Sequence, residues 1–319
     1  MRNEAEIKNL ILDFAKQDDR IRAVLLNGSR ANSNINPDQF QDFDIVFIVD
    51  KLGSFTADHS WTDIFGKKII FQLPDEMTFG DENNYQKNVS FTYLMLFQDK
   101  NRIDLTLFSK QKITSEFKLD SLTNLWLDKD NLFAKLPQPS DKVYHIKILT
   151  EKEFLDTCNE FWWVLTYVVK GLSRSEIIYA KHMLEKFLRP MFMKVIDWTV
   201  GIENGFGVSL GKSGKFLKKY LSDDLYEKVL LTYSNCEPEE NWKSLLLLTK
   251  IFQQTSNFVA EKLRFRINKI EEQNTMSYLK DQCDEQKNYR QHCIAKIVAG
   301  RSAFIPLGVF TAYTTNNSC

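Results

Sequence analysis

The sequence predicts an α+β protein: an N-terminal domain built on a mixed sheet of about five strands with helices, followed by a C-terminal helical bundle. Three observations carry this prediction. Residues 1–135 hold apolar runs of strand length, bounded by turns rich in Gly, Asn and Asp. Pro137 and Pro139 then interrupt the chain. Beyond them apolar residues recur at helical spacing over longer stretches, opened by Ser/Thr-x-x-Glu signals. The expected divisions are 1–135, 136–286 and an atypical C-terminal tail at 287–319.

Taken in order, Ile7, Leu10, Ile11, Phe14 and Ala15 share one face of a helix over residues 4–17. Ile21 to Leu26 reads as a buried strand that ends at Gly28-Ser29. Residues 30–41, rich in Asn and carrying Pro37-Asp38, form a loop, and a second strand spans 43–49. Trp61 to Phe65 begins a short helix, Lys68 to Leu73 reads as a strand, and residues 74–87 as a polar surface loop. Val89 to Phe97 and Arg102 to Phe108 are β-rich runs joined by a hairpin at Gln98–Asn101.

In the second half, Thr150 and Glu153 make a capping box for a helix running to Gly171. Ser173 and Glu176 make a second box, opening a helix to about Trp198 that Pro190 should kink. Gly201, Gly205, Gly207, Gly211 and Gly214 fall within 14 residues and predict a loop. Shorter helices are expected at 214–221 and 223–233. Pro238 then precedes a long helix through Trp242, Leu245, Leu246, Ile251, Phe252 and Val259. The tail after about Gln286 reads as a strand-like flap or a disordered end.

Composition narrows the function. Lys plus Arg and Asp plus Glu both number 42, so no overall field favours a nucleic acid, and no nucleic-acid partner is expected. The apolar stretch 294–313 contains Lys296 and Arg301, which argues against a membrane span. Cys158, Cys236, Cys283, Cys293 and Cys319 are odd in number and lack a C-x-x-C pair, as free thiols in a reducing cytosol would be. Met1-Arg-Asn-Glu-Ala-Glu opens into an amphipathic helix rather than a signal peptide, so a cytoplasmic location is expected. The four histidines (His59, His145, His182, His292) lack zinc-ligand spacing. The oligomeric state stays open between monomer and weak dimer.

The chemistry concentrates between Val24 and Val49. Gly28-Ser29 follows a strand; after twelve intervening residues Asp42 and Asp44 alternate with apolar neighbours at the start of the next one. Residues i and i+2 of a strand point to one face, so both carboxylates look the same way. Asp104, between Ile103 and Leu105, adds a third acid on a later strand. Clustered carboxylates repel unless a cation lies among them, and hard oxygen ligands suit Mg²⁺ carrying a nucleoside triphosphate. Taken singly, each piece is an ordinary turn or a solvated strand edge. Together and in order they resemble the DNA-polymerase-β-like nucleotidyltransferases.

The resemblance narrows further. The stretch Leu26-Asn-Gly-Ser-Arg to Asp42-Phe-Asp-Ile45 looks like the aminoglycoside 6-adenylyltransferases (streptomycin 6-adenylyltransferases), as do Asn159-Glu-Phe-Trp-Trp, Tyr167-Val-Val-Lys-Gly171, Leu188-Arg-Pro190 and Leu210-Gly-Lys212. The likeness spans residues 1 to about 285 and leaves out the tail. It implies a nucleotidyltransferase domain and a helical substrate-binding domain, and transfer of AMP from ATP to streptomycin with Mg²⁺, releasing pyrophosphate and inactivating the antibiotic. On that reading Asp42, Asp44 and Asp104 are the metal-binding and catalytic acids. Gly28 and Ser29 hydrogen-bond the phosphates and Arg30 places a cation beside them, unless Arg30 serves a surface salt bridge.

The remaining candidates lie in the helical half. Asp156, Glu160, Trp163, Tyr167 and Lys170 follow one another by three or four residues and share one helix face. Acidic and aromatic groups suit a cationic, guanidinylated sugar, and Lys170 suits a phosphate; the alternative is that the acids pair with cations of neighbouring helices. Lys212, with Lys215 in the glycine-rich loop, is either a phosphate contact or an exposed loop lysine. Two other functions compete: nucleotidyl transfer to a different acceptor, and a catalytically inactive nucleotide-binding module.

Overall fold

A computed structural model of the chain describes residues 1–78, 88–133 and 135–298. The chain divides into two units at Tyr144/His145. In the first, α1 (Glu4–Gln17) is closed by a full capping box between Asn3 and Glu6 and buries Ile7, Ile11 and Ala15. The chain continues through β1 (Ile21–Asn27), β2 (Phe43–Val49), the single turn α2 (Gly53–Thr56), β3 (Lys68–Gln72), β4 (Ser90–Phe97), β5 (Arg102–Ser109), the single turn α3 (Ile113–Glu116) and β6 (Thr123–Asp128).

Among the described residues the sheet has six strands in the order β3-β4-β5-β2-β1-β6. The β2–β5 pair is parallel; all the others are antiparallel. Five of the strands match the apolar runs. The sixth, β6, is an edge strand whose burial follows no alternation beyond Thr123, so it lacks the period-2 signal of a half-buried strand. The predicted short helix at Trp61–Phe65 is a 3-10 segment, Ser60–Phe65. Of the loop expected at 74–87, Pro74–Glu76 is a 3-10 turn, and residues 79–87 lie outside the described residues.

The two sheet faces are covered unequally, and this positions the site. On one face Val24, Leu26, Ile45, Phe47, Tyr93 and Leu105 pack with α1, Phe55 and Phe65 in a continuous core. On the other, Ala23, Leu25, Val46, Ile48 and Phe108 are covered by Ile113, Phe117 and Phe133 at only one end. The other end of this second face, which within this unit and among the described residues no apolar cluster covers, carries the acidic residues. The segment up to Tyr144 stays with this unit: Ser140 donates its N–H to the Ser121 carbonyl and the Tyr144 hydroxyl donates to Asp120.

The second unit is helical: α4 (Glu151–Ser173), α5 (Ile177–Met183), α6 (Arg189–Glu203), α7 (Asp223–Leu231), α8 (Pro238–Leu263) and α9 (Lys269–Val298). Its core stacks Phe161 on Phe252 and sets Trp162 edge-on against both. The Thr150–Glu153 capping box forms as read from sequence. The second box does not. Ser173 lies inside α4, where its hydroxyl faces Gln282, and Glu176 precedes α5 without a side-chain cap.

Pro190 neither breaks the helical run nor stands in a regular helix. Residues Leu184–Leu188 form one wide π turn, in which the Arg189 N–H bonds to the Leu184 carbonyl five residues back. That widening accommodates a ring which would otherwise meet the carbonyl four residues before it. Gly201 belongs to α6 rather than to the loop that follows. The helix expected at 214–221 is instead two 3-10 turns, Lys212–Gly214 and Leu217–Lys219, because Ser213 and Gly214 adopt positive φ. Helix α9 went unread in the sequence, since its apolar residues have almost no helical periodicity. It reaches into the expected tail as far as Val298; residues 299–319 lie outside the described residues. Among the described residues no helix is long and apolar enough to cross a membrane.

Candidate active site

Strand register alone assembles the acids. Asp44 of β2 pairs with Asp104 of β5, which pairs with Leu94 of β4 and, through it, with Gln72 of β3. On the other side Asp44 pairs with Asn27 of β1, and Asn27 with Thr123 of β6. Residues in register point to one face, so this row crosses all six strands on the incompletely covered side. Asp42 and Arg102, each two residues before a member of the row, share that face.

Gly28 closes against the row. Its N–H donates to the Leu122 carbonyl at 3.0 Å and its φ is +74°. A Cβ at this position would run into Asp44 Oδ2, so no other residue lets the turn lie so close to the carboxylate. Gly28–Ala31 form one 3-10 turn, leading into the long loop.

The electrostatics are those of surplus negative charge. Burial is the main reason the Asp44 carboxyl is pushed up to about 6; Asp104 and Asp42 add to the shift, and Arg102 opposes it. Arg102 grips Asp104 with Nε and Nη2, each donating at 2.7 Å, and Nε lies 3.7 Å from Asp42 Oδ2. Both oxygens of Asp104 are thereby held, and among the described residues no three acidic, His or Cys side chains enclose a space for a metal ion. The donor set still fits an oxygen-preferring cation. It offers hard carboxylate oxygens, a buried acid short of compensating charge, and one guanidinium acting as counter-ion to two of the acids.

A pH dependence follows. An Asp whose folded pKa lies near 6 rather than 3.8 binds its proton more tightly in the folded state. Its contribution is fully favourable below pH 3.8 and is lost as the pH rises through about 6. In Mg²⁺-free buffer, wild type should therefore lose stability relative to Asp44→Asn across this window. Urea midpoints of both proteins from pH 4 to 8 measure it; parallel curves would contradict it.

Two cavities flank the acids along the sheet. One of ≈ 470 Å³ is lined by Phe40, Asp42, Ile70, Leu94 and Arg102 among others, on the β3–β4 side. The other, of ≈ 490 Å³, is lined by Ser29, Arg30, Asn32, Gln41 and Asn124 and lies on the glycine-turn side. Arg30 lines this second cavity but its guanidinium is engaged. It donates to the Asp42 and Gln41 carbonyls and to Glu4, and stacks 3.8 Å from the centre of the Phe43 ring. With its side chain only 8% exposed, Arg30 braces the loop onto the segment that leads through Asp42 into β2.

A family model for streptomycin adenylyltransferase matches residues 1–282. This chain belongs to that family. It is 44% identical over 266 residues to an aminoglycoside 6-adenylyltransferase of Campylobacter jejuni, covering 83% of this chain and 91% of the relative. It is 42% identical over 269 residues to the aminoglycoside 6-adenylyltransferase of Bacillus subtilis strain 168, covering 83% and 93%. A crystal structure of an aminoglycoside 6-adenyltransferase from Bacillus subtilis shares 36% identity at a TM-score of 0.43, covering 88% of this chain and 99% of that one. The family expected from the Leu26–Ile45 stretch is the family matched, and the matched span stops close to the limit expected near residue 285.

In this member of the streptomycin adenylyltransferase family, the candidates on α4 occupy its exposed stripe. Asp156, Glu160, Trp163 and Lys170 are exposed, while Phe161, Trp162, Leu165 and Val168 are buried. The Trp163 indole N–H donates to the Tyr167 hydroxyl at 2.9 Å, joining the two aromatics. Asp156 is held by Lys152 on its own helix. Lys212 is exposed on its loop. Two residues beside the row were missed in the sequence. Arg102 was legible, since it lies two residues before Asp104 on a strand. Asp120, which also pushes the Asp44 carboxyl up and accepts a 2.5 Å bond from the Tyr144 hydroxyl, had no signal, because its segment leads into the unread strand β6.

Proposed function

We propose that this protein transfers AMP from ATP to a hydroxyl of a streptomycin-type aminoglycoside, the 6-hydroxyl by its relatives' names, and so inactivates the antibiotic. The observation that carries the reading is the register of Asp44 with Asp104 directly beside Gly28, which brings two acids and a tight glycine turn together at one end of the sheet. Asp42, Asp44 and Asp104 are the residues that would hold Mg²⁺, which when bound supplies charge neutralisation at the phosphate under attack. Gly28 N–H is committed to Leu122, so the turn's share in phosphate binding falls to the other backbone N–H groups and the Ser29 hydroxyl. Arg30 contributes fixed positive charge rather than a free fork. Asp104 accepts the proton of the acceptor hydroxyl at a carboxylate oxygen once Arg102 no longer occupies both oxygens.

The sheet unit is then the nucleotidyl-transfer domain and the helical unit the acceptor-binding domain. Asp156, Glu160, Trp163 and Tyr167 suit a cationic sugar by charge and by stacking, and Lys170 and Lys212 suit phosphate. Reduced thiols at Cys158, Cys236 and Cys283 and the need for ATP support a cytoplasmic location. The test is pyrophosphate release. With ATP and Mg²⁺ the protein should release it only when streptomycin is added; release without an acceptor, or none with it, would overturn the reading.

A further inference from the structure

Among the carboxylates described in the helical unit, one is drawn out of solvent and engaged by nothing. Glu151 is bound by Arg266, Glu185 by Arg189, and buried Glu272 accepts from Gln253 and Lys269. Glu160, Glu176, Glu203, Asp223, Glu227, Glu237 and Glu261 are exposed, where water compensates their charge at little cost. Asp197, on α6, is half-buried and among the described residues has neither a hydrogen bond nor an ion pair. Burial alone pushes its carboxyl up to about 6, and no cation draws it back. A charge drawn out of water and left unpaired is costly, so the position suits a cation, and among the described residues none is supplied.

The glycine-rich loop runs along the same helix face. Met193 and Gly201 lie four residues to either side of Asp197 and share its helix face. The glycine-rich loop touches that face at both points: the Phe206 ring lies against Gly201, and the Met193 methyl approaches Gly214. Gly205, Phe206, Gly211, Ser213 and Gly214 all take positive φ, so the loop's path over the helix is a defined conformation. The lysines nearby are directed elsewhere. Lys194 lies over the Trp198 ring at 5.2 Å and Lys215 over Phe216 at 5.1 Å.

We propose that Asp197, on the face of α6 bordered by this glycine-rich loop, binds a guanidinium group of the aminoglycoside. Among the described residues nothing bonds either carboxylate oxygen, and a guanidinium presents two parallel donors in a planar fork that matches them. On α4, by contrast, Asp156 already has Lys152 and Glu160 is solvated. The assignment rests on the acceptor being an aminoglycoside.

Calorimetry with streptomycin and with ATP separately, on wild type and Asp197→Asn at pH 8, tests it alongside thermal melts of the unliganded proteins. The variant should bind streptomycin about ten- to a hundredfold more weakly and ATP unchanged. Its melting temperature should equal or exceed that of wild type, because an unpaired charge has been removed. Equal streptomycin affinity in the two proteins overturns the assignment, as does a variant that is destabilised or loses both ligands, since Asp197 would then be structural. A wild type that binds ATP but no streptomycin overturns the acceptor class itself.

Discussion

Asp44→Asn should abolish AMP transfer while making the unliganded protein more stable. The change keeps the shape of the side chain and removes one charge from a group of three that are aligned by β2 and β5. The Lewis-acid contribution of a bound metal is several kcal/mol, so turnover should fall by about a thousandfold or more. The same charge is a burden without its cation, because burial and two neighbouring acids hold the Asp44 carboxyl near 6. Relief of that penalty should stabilise the unliganded variant by on the order of 2 kcal/mol at pH 8. Steady-state turnover and urea midpoints, measured together, separate this from simple misfolding. An inactive variant that is also much less stable would mean that Asp44 holds the fold together, and wild-type turnover would remove it from the site.

Gly28→Ala should cost nearly as much activity for a different reason. Two effects act at this residue: its φ of +74° disfavours any side chain, and the new Cβ collides with Asp44 Oδ2. Left-handed backbone costs about 1–2 kcal/mol for a non-glycine residue. Displacing the carboxylate by even about 1 Å costs about a hundredfold in rate. Gly66→Ala is the control, since Gly66 also has positive φ (+125°) but its Cβ position meets Arg2 and Phe97 rather than any of the acids. Both variants should lose stability, Gly28→Ala the more, and only Gly28→Ala should lose turnover. If both keep full activity, the contact between the turn and Asp44 has no part in the reaction.

These two predictions rest on residues that were legible in the sequence, and the reason is physical. Asp44 and Asp104 lie on strands buried enough to show apolar runs, with Asp42 just before the first of them, and the period of two fixes which way the strand side chains point. Pairing was what the sequence left open. That β5 lies beside β2 in parallel, bringing Asp104 level with Asp44, depends on a contact sixty residues apart in the chain, and no local pattern encodes it. The edge strand β6 and the helix α9 escaped because neither carries the periodicity by which strands and helices are recognised. Asp197 escaped for another reason. Its importance lies in what is missing around it, and an absent partner leaves no trace in the order of residues. The fate of Arg30 was likewise set by tertiary contacts, with carbonyls and Phe43 taking up a guanidinium that the motif alone offers to phosphate.

The account's central claim is that the row of acids on the open sheet face directs AMP onto an aminoglycoside. Mass spectrometry of streptomycin incubated with the protein, ATP and Mg²⁺ tests it most directly. The antibiotic should gain the mass of one AMP residue with wild type and remain unchanged with Asp44→Asn. Streptomycin that stays unmodified while ATP is consumed, or that is adenylylated equally well by the Asp44→Asn variant, would contradict it.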